Sequence, residues 1–305
     1  MTIAVLIPCF NEEQTVGRVV EDIKKELPEA AVYVFDNNSD DRTAELAKEA
    51  GAIVRKEAKR GKGNVVRSMF RQVDADIYVM IDGDDTYPAG EIHKLIAPIQ
   101  NEEADICIGD RLTDGSYEDE NRRLFHTFGN SLVKRLINRL FDADMKDIMS
   151  GYRAFSRRFV KTAPIISDGF EIETEITLFA LHNKLRISQI PIGFRERPEG
   201  SLSKLNTLSD GFKVLLTIFR LYKDYRPFVF FSTAAMLLAL AGIGVGIPVI
   251  VDFVETGLVP KFPSAILATG CMVLSAVSFS SGLILDTIVK HHRRMFEILY
   301  NQSSK

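Results

Sequence analysis

Two stretches near the C-terminal end of the chain, residues 228–251 and 262–285, each contain 24 consecutive residues without a charged side chain. At ~1.5 Å of rise per residue, a helix of this length reaches roughly 36 Å, which exceeds the ~30 Å hydrocarbon thickness of a bilayer. Helices buried in soluble cores are rarely both this long and free of charge. The sequence therefore predicts two transmembrane helices rather than a buried helical hairpin.

The charges beside these stretches predict the orientation of the chain. Basic residues precede the first stretch and follow the second, at Lys213, Arg220, Lys223, Arg226, Lys290, Arg293 and Arg294. The connecting loop holds Lys261 against Asp252 and Glu255. Because cytoplasmic flanks carry the excess of lysine and arginine, we expect a two-span protein of the cell membrane. Both termini and the domain that precedes the spans are then cytoplasmic.

A basic amphipathic segment, residues 208–225, leads directly into the first span. Phe212, Leu215, Phe219 and Tyr222 recur at helical spacing, with lysine and arginine between them. Such a helix lies either in the membrane interface or against the soluble domain. The sequence thus predicts four parts: a cytoplasmic domain over 1–206, an interface helix over 207–226, a two-helix hairpin over 227–289 and a basic tail over 290–305.

Small residues recur within the predicted spans. Gly242 and Gly246 stand four apart, as do Ser278 and Gly282. This spacing lets two helix backbones approach closely. The contact lies either within the hairpin or between the subunits of a homo-oligomer.

The composition limits the kinds of partner that we expect for the domain that precedes the spans. Lysine and arginine number 38 against 41 aspartates and glutamates, for a net charge of −3. The chain therefore lacks the basic excess typical of nucleic-acid binding, and we expect no nucleic acid as a partner. The three cysteines lie far apart without a CxxC pair, which argues against a zinc site.

Short runs of β-branched residues alternate with helical patterns through the first hundred residues. They predict strands at 3–7, 32–35, 77–81 and 106–108, and helices near 12–26, 40–50, 62–73 and 89–100. This order is typical of an α/β domain with a doubly wound, mostly parallel sheet. In such a sheet the ligands bind outside the carboxyl ends of the strands.

Acidic residues follow the third of these predicted strands. Asp82 and Asp84 come directly after the apolar run 77–81, with Gly83 between them to let the backbone turn. Both carboxylates are therefore expected at a strand end that faces the ligand crevice. Two hard oxygen ligands suit Mg²⁺ or Mn²⁺, which keep their other positions for water and substrate phosphates. The motif predicts a metal site for a diphosphate substrate.

A glycine-rich segment, Gly61-Lys62-Gly63, matches neither common nucleotide motif. It lacks the third glycine of a dinucleotide fingerprint, and Gly63 stands where a Walker A motif needs serine or threonine. These residues either open a helix near a diphosphate, with Lys62 supplying charge, or form a plain turn at a helix start.

With these residues placed, residues 3–226 resemble the family 2 glycosyltransferases of the type-A nucleotide-sugar fold. Within that family they resemble the polyprenyl-phosphate group, which includes dolichol-phosphate mannose synthases and bactoprenol glucosyltransferases. The motifs that carry the resemblance are IPCFNEE, VFDNNSDD, RGKGN, DGDDTYP, SGYRAFSRR, FEIETEI and RPEGSLSKL. The resemblance implies a membrane enzyme that moves a sugar from a nucleotide-diphosphate sugar to a polyprenyl phosphate lipid.

The resemblance also implies roles for single residues on the donor side. Asp82 and Asp84 hold the metal and the donor diphosphate, and Arg197 and Lys204 belong to a loop that closes over that diphosphate. The nucleoside contacts are Pro8, Phe10, Glu12, Phe35 and Asp36.

On the acceptor side, the resemblance implies that Arg111 and Arg123 receive the lipid phosphate, with Arg122 as an equal rival to Arg123. The chain departs from the family at Asp85, where a carboxamide or a small residue is common. That third carboxylate either binds the metal or caps the helix expected to begin near Pro88.

Other functions fit the sequence less well. A processive polysaccharide synthase needs a QxxRW motif, and this chain contains no tryptophan. A sugar nucleotidyltransferase carries a glycine-rich N-terminal loop where this chain has IPCFNEE. A non-enzymatic membrane scaffold leaves the acidic strand ends unexplained. As donor we favour UDP-glucose or UDP-N-acetylglucosamine over GDP-mannose, because of the general resemblance to the bacterial two-span branch of the family.

Overall fold

The computed structural model describes residues 1–113, 134–197, 216, 219–220 and 222–302. The chain divides into two compact units, one of Met1–Ile218 with Ile298–Lys305 and one of Phe219–Glu297. Three predicted site residues, Arg122, Arg123 and Lys204, lie outside the described residues, as does most of the predicted interface helix over 208–225.

The larger unit is built on a mostly parallel sheet. Among the described residues its strands are β1 (Ile3–Cys9), β2 (Ala31–Asp36), β3 (Ile53–Lys56), β4 (Ile77–Met80), β5 (Ile106–Asp110), β6 (Arg153–Ser156) and β7 (Ile187–Pro191). The helices are α1 (Val16–Glu26), α2 (Thr43–Glu49), α3 (Lys62–Gln72), α4 (Ile92–Gln100), α5 (Arg157–Thr162) and α6 (Ile172–His182). A short 3₁₀ turn, Ala89–Glu91, precedes α4.

The strand order is β3-β2-β1-β4-β6-β5-β7. β6 runs antiparallel to both of its neighbours, and every other described pair is parallel. The predicted doubly wound, mostly parallel α/β sheet is therefore confirmed. The strand order reverses between β1 and β4, so the segments that follow these two strands border the crevice where such folds bind ligands.

The core explains why the apolar runs form these strands. In β1 and β4 the side chains of Val5, Leu6 and Val79 are fully buried on both faces of the sheet. Continuous β-branched runs are typical of parallel strands that helices cover on both sides. Helix α1 adds Val16, Val20 and Ile23 at helical spacing, and all three pack into the same core.

Two strands at the far side of the sheet were not predicted. β6 has the sequence RAFS and places a charged residue, Arg153, in a fully buried position. β7 reads ISQIP, with every side chain only partly buried or exposed. Neither sequence shows the apolar run from which β1, β2, β4 and β5 were predicted. Both strands are recognised in the structure by their pairing, β6 with β4 and β5, and β7 with β5.

The smaller unit contains one long helix and most of a second, whose last residues from Ile298 belong to the larger unit. α7 (Pro227–Thr256) and α8 (Phe262–Gln302) are both long and apolar enough to cross a membrane, judged by length and composition. α8 continues past the predicted end of the span, where Asp286 and Lys290 form an ion pair of 2.7 Å at i,i+4 spacing. The predicted basic tail is therefore helical as far as Gln302.

The small residues of the spans lie where these two helices touch. A Cβ added at Gly242 would lie 3.1 Å from the Cβ of Cys271, and one at Gly282 would lie 3.0 Å from the Cβ of Phe231. The Ser275 hydroxyl donates to the Ala235 carbonyl at 2.7 Å. Of the two alternatives left open by the sequence, the structure has the close contact within the hairpin.

Candidate active site

Acidic side chains gather where β1, β2 and β4 end. The buried thiol of Cys9 lies among them, and its pKa is raised first by burial and then by four carboxylates, those of Glu12, Asp82, Asp36 and Asp84. The Thr15 hydroxyl donates to the Gly83 carbonyl at 2.7 Å and so ties the start of α1 to the turn after β4. The acidic edge expected from the sequence is therefore present.

The predicted nucleoside residues line this edge, with one exception. Pro8 and Phe10 are half-buried, and the Arg60 guanidinium lies 4.8 Å from the centre of the Phe10 ring. Asp36 is buried and accepts a hydrogen bond from the Ser39 backbone N–H at 3.2 Å. The exception is Phe35 of β2, whose side chain is fully buried and therefore does not line the crevice. The predicted nucleoside contact of Phe35 is corrected to a packing role.

Asp84 is held firmly at its strand end. Its Oδ1 accepts hydrogen bonds from the Thr86 hydroxyl at 2.6 Å and from the Thr86 backbone N–H at 3.2 Å. Its Oδ2 lies 2.5 Å from Nη2 of Arg197, so the first residue of the predicted closing loop already pairs with this carboxylate. Both oxygens are thus oriented, and one faces a cation.

Asp82 pairs with a second cation, Lys62. The Lys62 Nζ lies 2.6 Å from Asp82 Oδ1 and 2.6 Å from Oε1 of Glu173 on α6. Burial alone would lower the pKa of Lys62, but the charges of the two carboxylates and their hydrogen bonds outweigh burial and raise that pKa above its ordinary value. Lys62 is therefore a permanent cation placed between two acids. Glu173 belongs to the FEIETEI motif, but the sequence did not predict a role for it.

The glycines beside Lys62 serve the fold. Gly61 has a φ of 122° and precedes α3, and a Cβ there would lie 2.1 Å from the Asp168 carbonyl oxygen. A Cβ at Gly63 would lie 2.1 Å from the carbonyl oxygen of Ser167. The glycines do open a helix, as both alternatives expected, and their lack of a side chain is required by this backbone contact.

Asp85 turns away from Asp82 and Asp84. Its backbone has a φ of 59°, and its carboxylate lies 3.2 Å from Arg18 and 4.0 Å from Arg195. The 3₁₀ turn that begins at Ala89 has no side-chain cap. The helix-capping alternative for Asp85 was therefore wrong, and its contacts are with arginines.

Arg111 lies at the end of β5, on the same edge of the sheet as Asp82. Its Nε and Nη2 donate to the two carboxylate oxygens of Asp147 at 2.7 and 3.0 Å, and its guanidinium lies 5.6 Å from the centre of the Phe194 ring. Burial would raise the pKa of Asp147, but Arg111 lowers it further than burial raises it. The bidentate pair fixes Arg111 in one orientation.

Tyr87 connects the two halves of the site. Burial raises its pKa to about 12, the charge of Arg111 opposes the shift, and Asp82 and Asp147 add to it. Its hydroxyl oxygen accepts a hydrogen bond from the Gly151 backbone N–H at 3.0 Å. The metal-site candidate and the acceptor-arginine candidate therefore lie within electrostatic range of one phenol.

The loop 147–151 positions several of these groups. Arg153 is fully buried and donates to the carbonyls of Ser150 and Ile148 at 2.7 and 2.6 Å and to the Thr177 hydroxyl at 3.0 Å. Burial lowers the pKa of Arg153 to about 10. The SGYRAFSRR motif thus holds the loop that presents Asp147, a role that residue types alone do not reveal.

Asp82 and Asp84 meet the requirements of a divalent cation. No group of three or more potential ligands among histidine, cysteine, aspartate and glutamate is present in the described residues, so the protein would contribute these two carboxylates. Mg²⁺ commonly binds through one or two carboxylates and fills its other positions with water and phosphate oxygens. Each carboxylate already attracts a cation, and Gly151 makes room for Asp82, since a Cβ there would lie 2.3 Å from Oδ2. The donor set fits Mg²⁺ or Mn²⁺.

Comparison with known proteins shows which family the chain matches. The model of the family described as "Glycosyl transferase family 2" matches residues 4–163. Glycosyltransferase AglJ of Haloferax volcanii is 30% identical over 299 residues, which are 97% of this chain and 96% of that relative. The dolichyl-phosphate hexose transferase of the same organism is 30% identical over 224 residues, 73% of this chain and 95% of that relative.

A solved structure shares the fold. The glucosyl-3-phosphoglycerate synthase of Mycobacterium tuberculosis, in complex with Mn²⁺, uridine-diphosphate and phosphoglyceric acid, superimposes with a TM-score of 0.58. The alignment covers 72% of this chain and 78% of the synthase at 21% identity. At this identity the likeness shows the fold alone.

Proposed function

The chain belongs to glycosyl transferase family 2, and from this membership we propose that it transfers a sugar from a nucleotide-diphosphate sugar to a polyprenyl phosphate. One observation carries the proposal: an acidic pair suited to a metal-bound diphosphate lies on the same edge of the sheet as a fixed, buried arginine. The name of one relative, dolichyl-phosphate hexose transferase, supports a polyprenyl phosphate acceptor.

On the donor side, the chain positions a diphosphate leaving group. Asp82 and Asp84 are the residues that would hold Mg²⁺ or Mn²⁺, which supplies charge neutralisation for the departing nucleoside diphosphate. Arg197 is close enough to Asp84 to contact the same diphosphate, and the predicted partner Lys204 follows it in the chain. Pro8, Phe10, Glu12 and Asp36 remain the proposed nucleoside contacts.

On the acceptor side, Arg111 orients a lipid phosphate toward the anomeric carbon, with Arg123 proposed beside it. A phosphate monoester has a second pKa near ~6, so the acceptor oxygen is already a nucleophile at neutral pH. The site therefore needs no carboxylate to remove a proton from a hydroxyl. Positioning by arginine and neutralisation of the leaving group supply the catalysis.

The two apolar helices support a reaction at a membrane surface. We propose that α7 and α8 span the cell membrane, with both termini and the catalytic domain in the cytoplasm, because the basic flanks follow the positive-inside rule. Large apolar side chains, among them Leu237, Ile250 and Leu274, are exposed along these helices and suit contact with lipid.

We propose a UDP-hexose, either UDP-glucose or UDP-N-acetylglucosamine, as the donor, and GDP-mannose is the alternative. Calorimetric titration of the full-length protein in detergent with UDP and GDP tests the donor site. We expect UDP to bind with Mn²⁺ present, and EDTA to weaken that binding at least tenfold. Tighter binding of GDP would favour the mannose donor. Binding of neither nucleotide, with or without Mn²⁺, would contradict the enzyme and favour a scaffold.

A further inference from the structure

Lys62 shares its ammonium group between a partly exposed acid, Asp82, and a buried one, Glu173, which lie far apart in the chain. Asp82 follows β4, whereas Glu173 is the second residue of α6, and both carboxylate oxygens lie 2.6 Å from the same nitrogen. The Glu173 side chain is 5% exposed and that of Lys62 11%. A buried charge is costly unless it is paired, and this geometry gives the Lys62 ammonium group two carboxylate partners.

A divalent cation at Asp82 and Asp84 competes with Lys62 and Arg197 for the same two carboxylates. Lys62 covers one oxygen of Asp82, and Arg197 covers one oxygen of Asp84 at 2.5 Å. Cations repel one another at such distances, and the carboxylate oxygens are the ligands that the metal needs. This repulsion therefore favours withdrawal of both side-chain cations when the metal binds.

The two cations differ in where they can go. Arg197 can pass to the incoming diphosphate, which the metal brings with it. Lys62 already contacts a second carboxylate, so it can leave Asp82 without losing its charge partner. Because a second carboxylate is already in contact with its ammonium group, Lys62 is the group that moves.

We propose that Glu173 is a positioning residue of the donor site: it takes Lys62 from Asp82 when a divalent cation binds, and so frees Asp82 to become a metal ligand. The inference rests on the proposed function, because it presumes that the site binds a metal–nucleotide complex. It also assigns Lys62 to Glu173 in the bound state, in place of the diphosphate contact expected from the sequence.

The test is the affinity for Mn²⁺ in the presence of UDP, measured from the electron paramagnetic resonance signal of free Mn²⁺ with the full-length protein in detergent. In Glu173→Gln, Lys62 has only Asp82 as a charge partner, so Mn²⁺ affinity is expected to fall at least tenfold. In the double variant Lys62→Met/Glu173→Gln, the competing cation is gone. Affinity is then expected to return to within threefold of wild type or to exceed it.

Glu175→Gln is the matched control. Glu175 is equally buried on α6 but accepts hydrogen bonds from the backbone N–H groups of Ile166 and Ser167, at 2.9 and 2.8 Å. Its substitution is expected to leave Mn²⁺ affinity within threefold of wild type. If Glu173→Gln does not fold, the double variant decides alone, because it removes the buried charges of Lys62 and Glu173 together.

The possible results distinguish failure of this inference from failure of the proposed function on which it rests. A double variant as weak as Glu173→Gln would make Glu173 a metal ligand or a structural residue and overturn the inference. Unchanged Mn²⁺ affinity in Glu173→Gln would overturn it too. A double variant that binds Mn²⁺ but no longer binds UDP would show that Lys62 contacts the diphosphate, and would overturn its assignment to Glu173 in the bound state. Failure of the wild type to bind Mn²⁺ with UDP would instead contradict the proposed function.

Discussion

Asparagine in place of Asp84 is expected to lower sugar transfer by ~10²–10³-fold at saturating donor, while the protein keeps its fold. The loss follows because Asp84 would hold the metal that neutralises the charge developing on the diphosphate, and a neutral amide is a much weaker metal ligand, an effect on the scale of ~2.7–4 kcal/mol. The fold is retained because the amide oxygen still accepts from the hydroxyl and backbone N–H of Thr86. Initial rates with labelled donor, beside thermal unfolding of the same preparation, measure both quantities.

Asp85→Asn is the matched control for this substitution. Asp85 is the adjacent carboxylate, but its charge faces Arg18 and Arg195, and asparagine tolerates its positive φ. We expect less than a fivefold change in rate. Near-normal transfer by Asp84→Asn, or an equal loss in Asp85→Asn, would contradict the metal assignment.

Replacement of Arg111 by glutamine is expected to have two separable consequences. It leaves Asp147 buried without its bidentate partner, which costs ~3–5 kcal/mol of unfolding free energy at neutral pH. It also removes one charge-assisted contact to the acceptor phosphate, worth ~1.5–3 kcal/mol, which raises the KM for polyprenyl phosphate at least tenfold. Chemical denaturation and acceptor titrations measure these separately.

The double variant Arg111→Gln/Asp147→Asn distinguishes the two roles. It removes both buried charges, so stability is expected to recover largely, whereas the acceptor KM is expected to stay high and UDP affinity to stay near wild type. Recovery of a normal acceptor KM would make Arg111 purely structural. Loss of UDP binding with an unchanged acceptor KM would move Arg111 to the donor side.

The pair also predicts the pH dependence of the single variant. The pKa of Asp147 is depressed in the folded protein, so its contribution to stability is present above the unfolded value of ~3.9 and is lost as pH falls through the lower folded value. The difference in stability between wild type and Arg111→Gln is therefore expected to be largest near neutral pH. It begins to narrow above the unfolded value of ~3.9, because burial without Arg111 raises the pKa of Asp147 in the variant, so that this carboxylate takes up a proton at a higher pH.

The parts of the fold that the sequence predicted are those with a local signal. β1, β2, β4 and β5 are apolar on both faces, and α1 shows its buried residues at helical spacing. α6 carries no such signal, because nine consecutive residues from Ile172 to Ala180 are buried and two of them are glutamates. A helix buried on all sides has no polar face from which its period can be read.

The site residues also divide into those with a local sequence signal and those without one. Asp82 and Asp84 were predicted because they directly follow a strand, and a strand end in this fold faces the crevice. Lys62 was predicted near a diphosphate, but its partner Glu173 lies more than a hundred residues away in the sequence. Asp147 was missed in the same way. Pairings of this kind are fixed by tertiary packing, so spacing along the chain does not encode them.

The central proposal is that the lipid phosphate oxygen attacks the sugar and that a nucleoside diphosphate leaves. The most direct measurement combines the purified full-length protein with Mn²⁺, sugar-labelled UDP-glucose, UDP-N-acetylglucosamine or GDP-mannose, and polyprenyl phosphate. Mass spectrometry then identifies the lipid product, and the released nucleotide is quantified in the same reaction. We predict one nucleoside diphosphate released for each sugar that enters the lipid, and a product that is a polyprenyl monophosphate sugar. Release of a nucleoside monophosphate with a lipid diphosphate product, or donor binding without labelled lipid for all three donors, would contradict the proposed reaction.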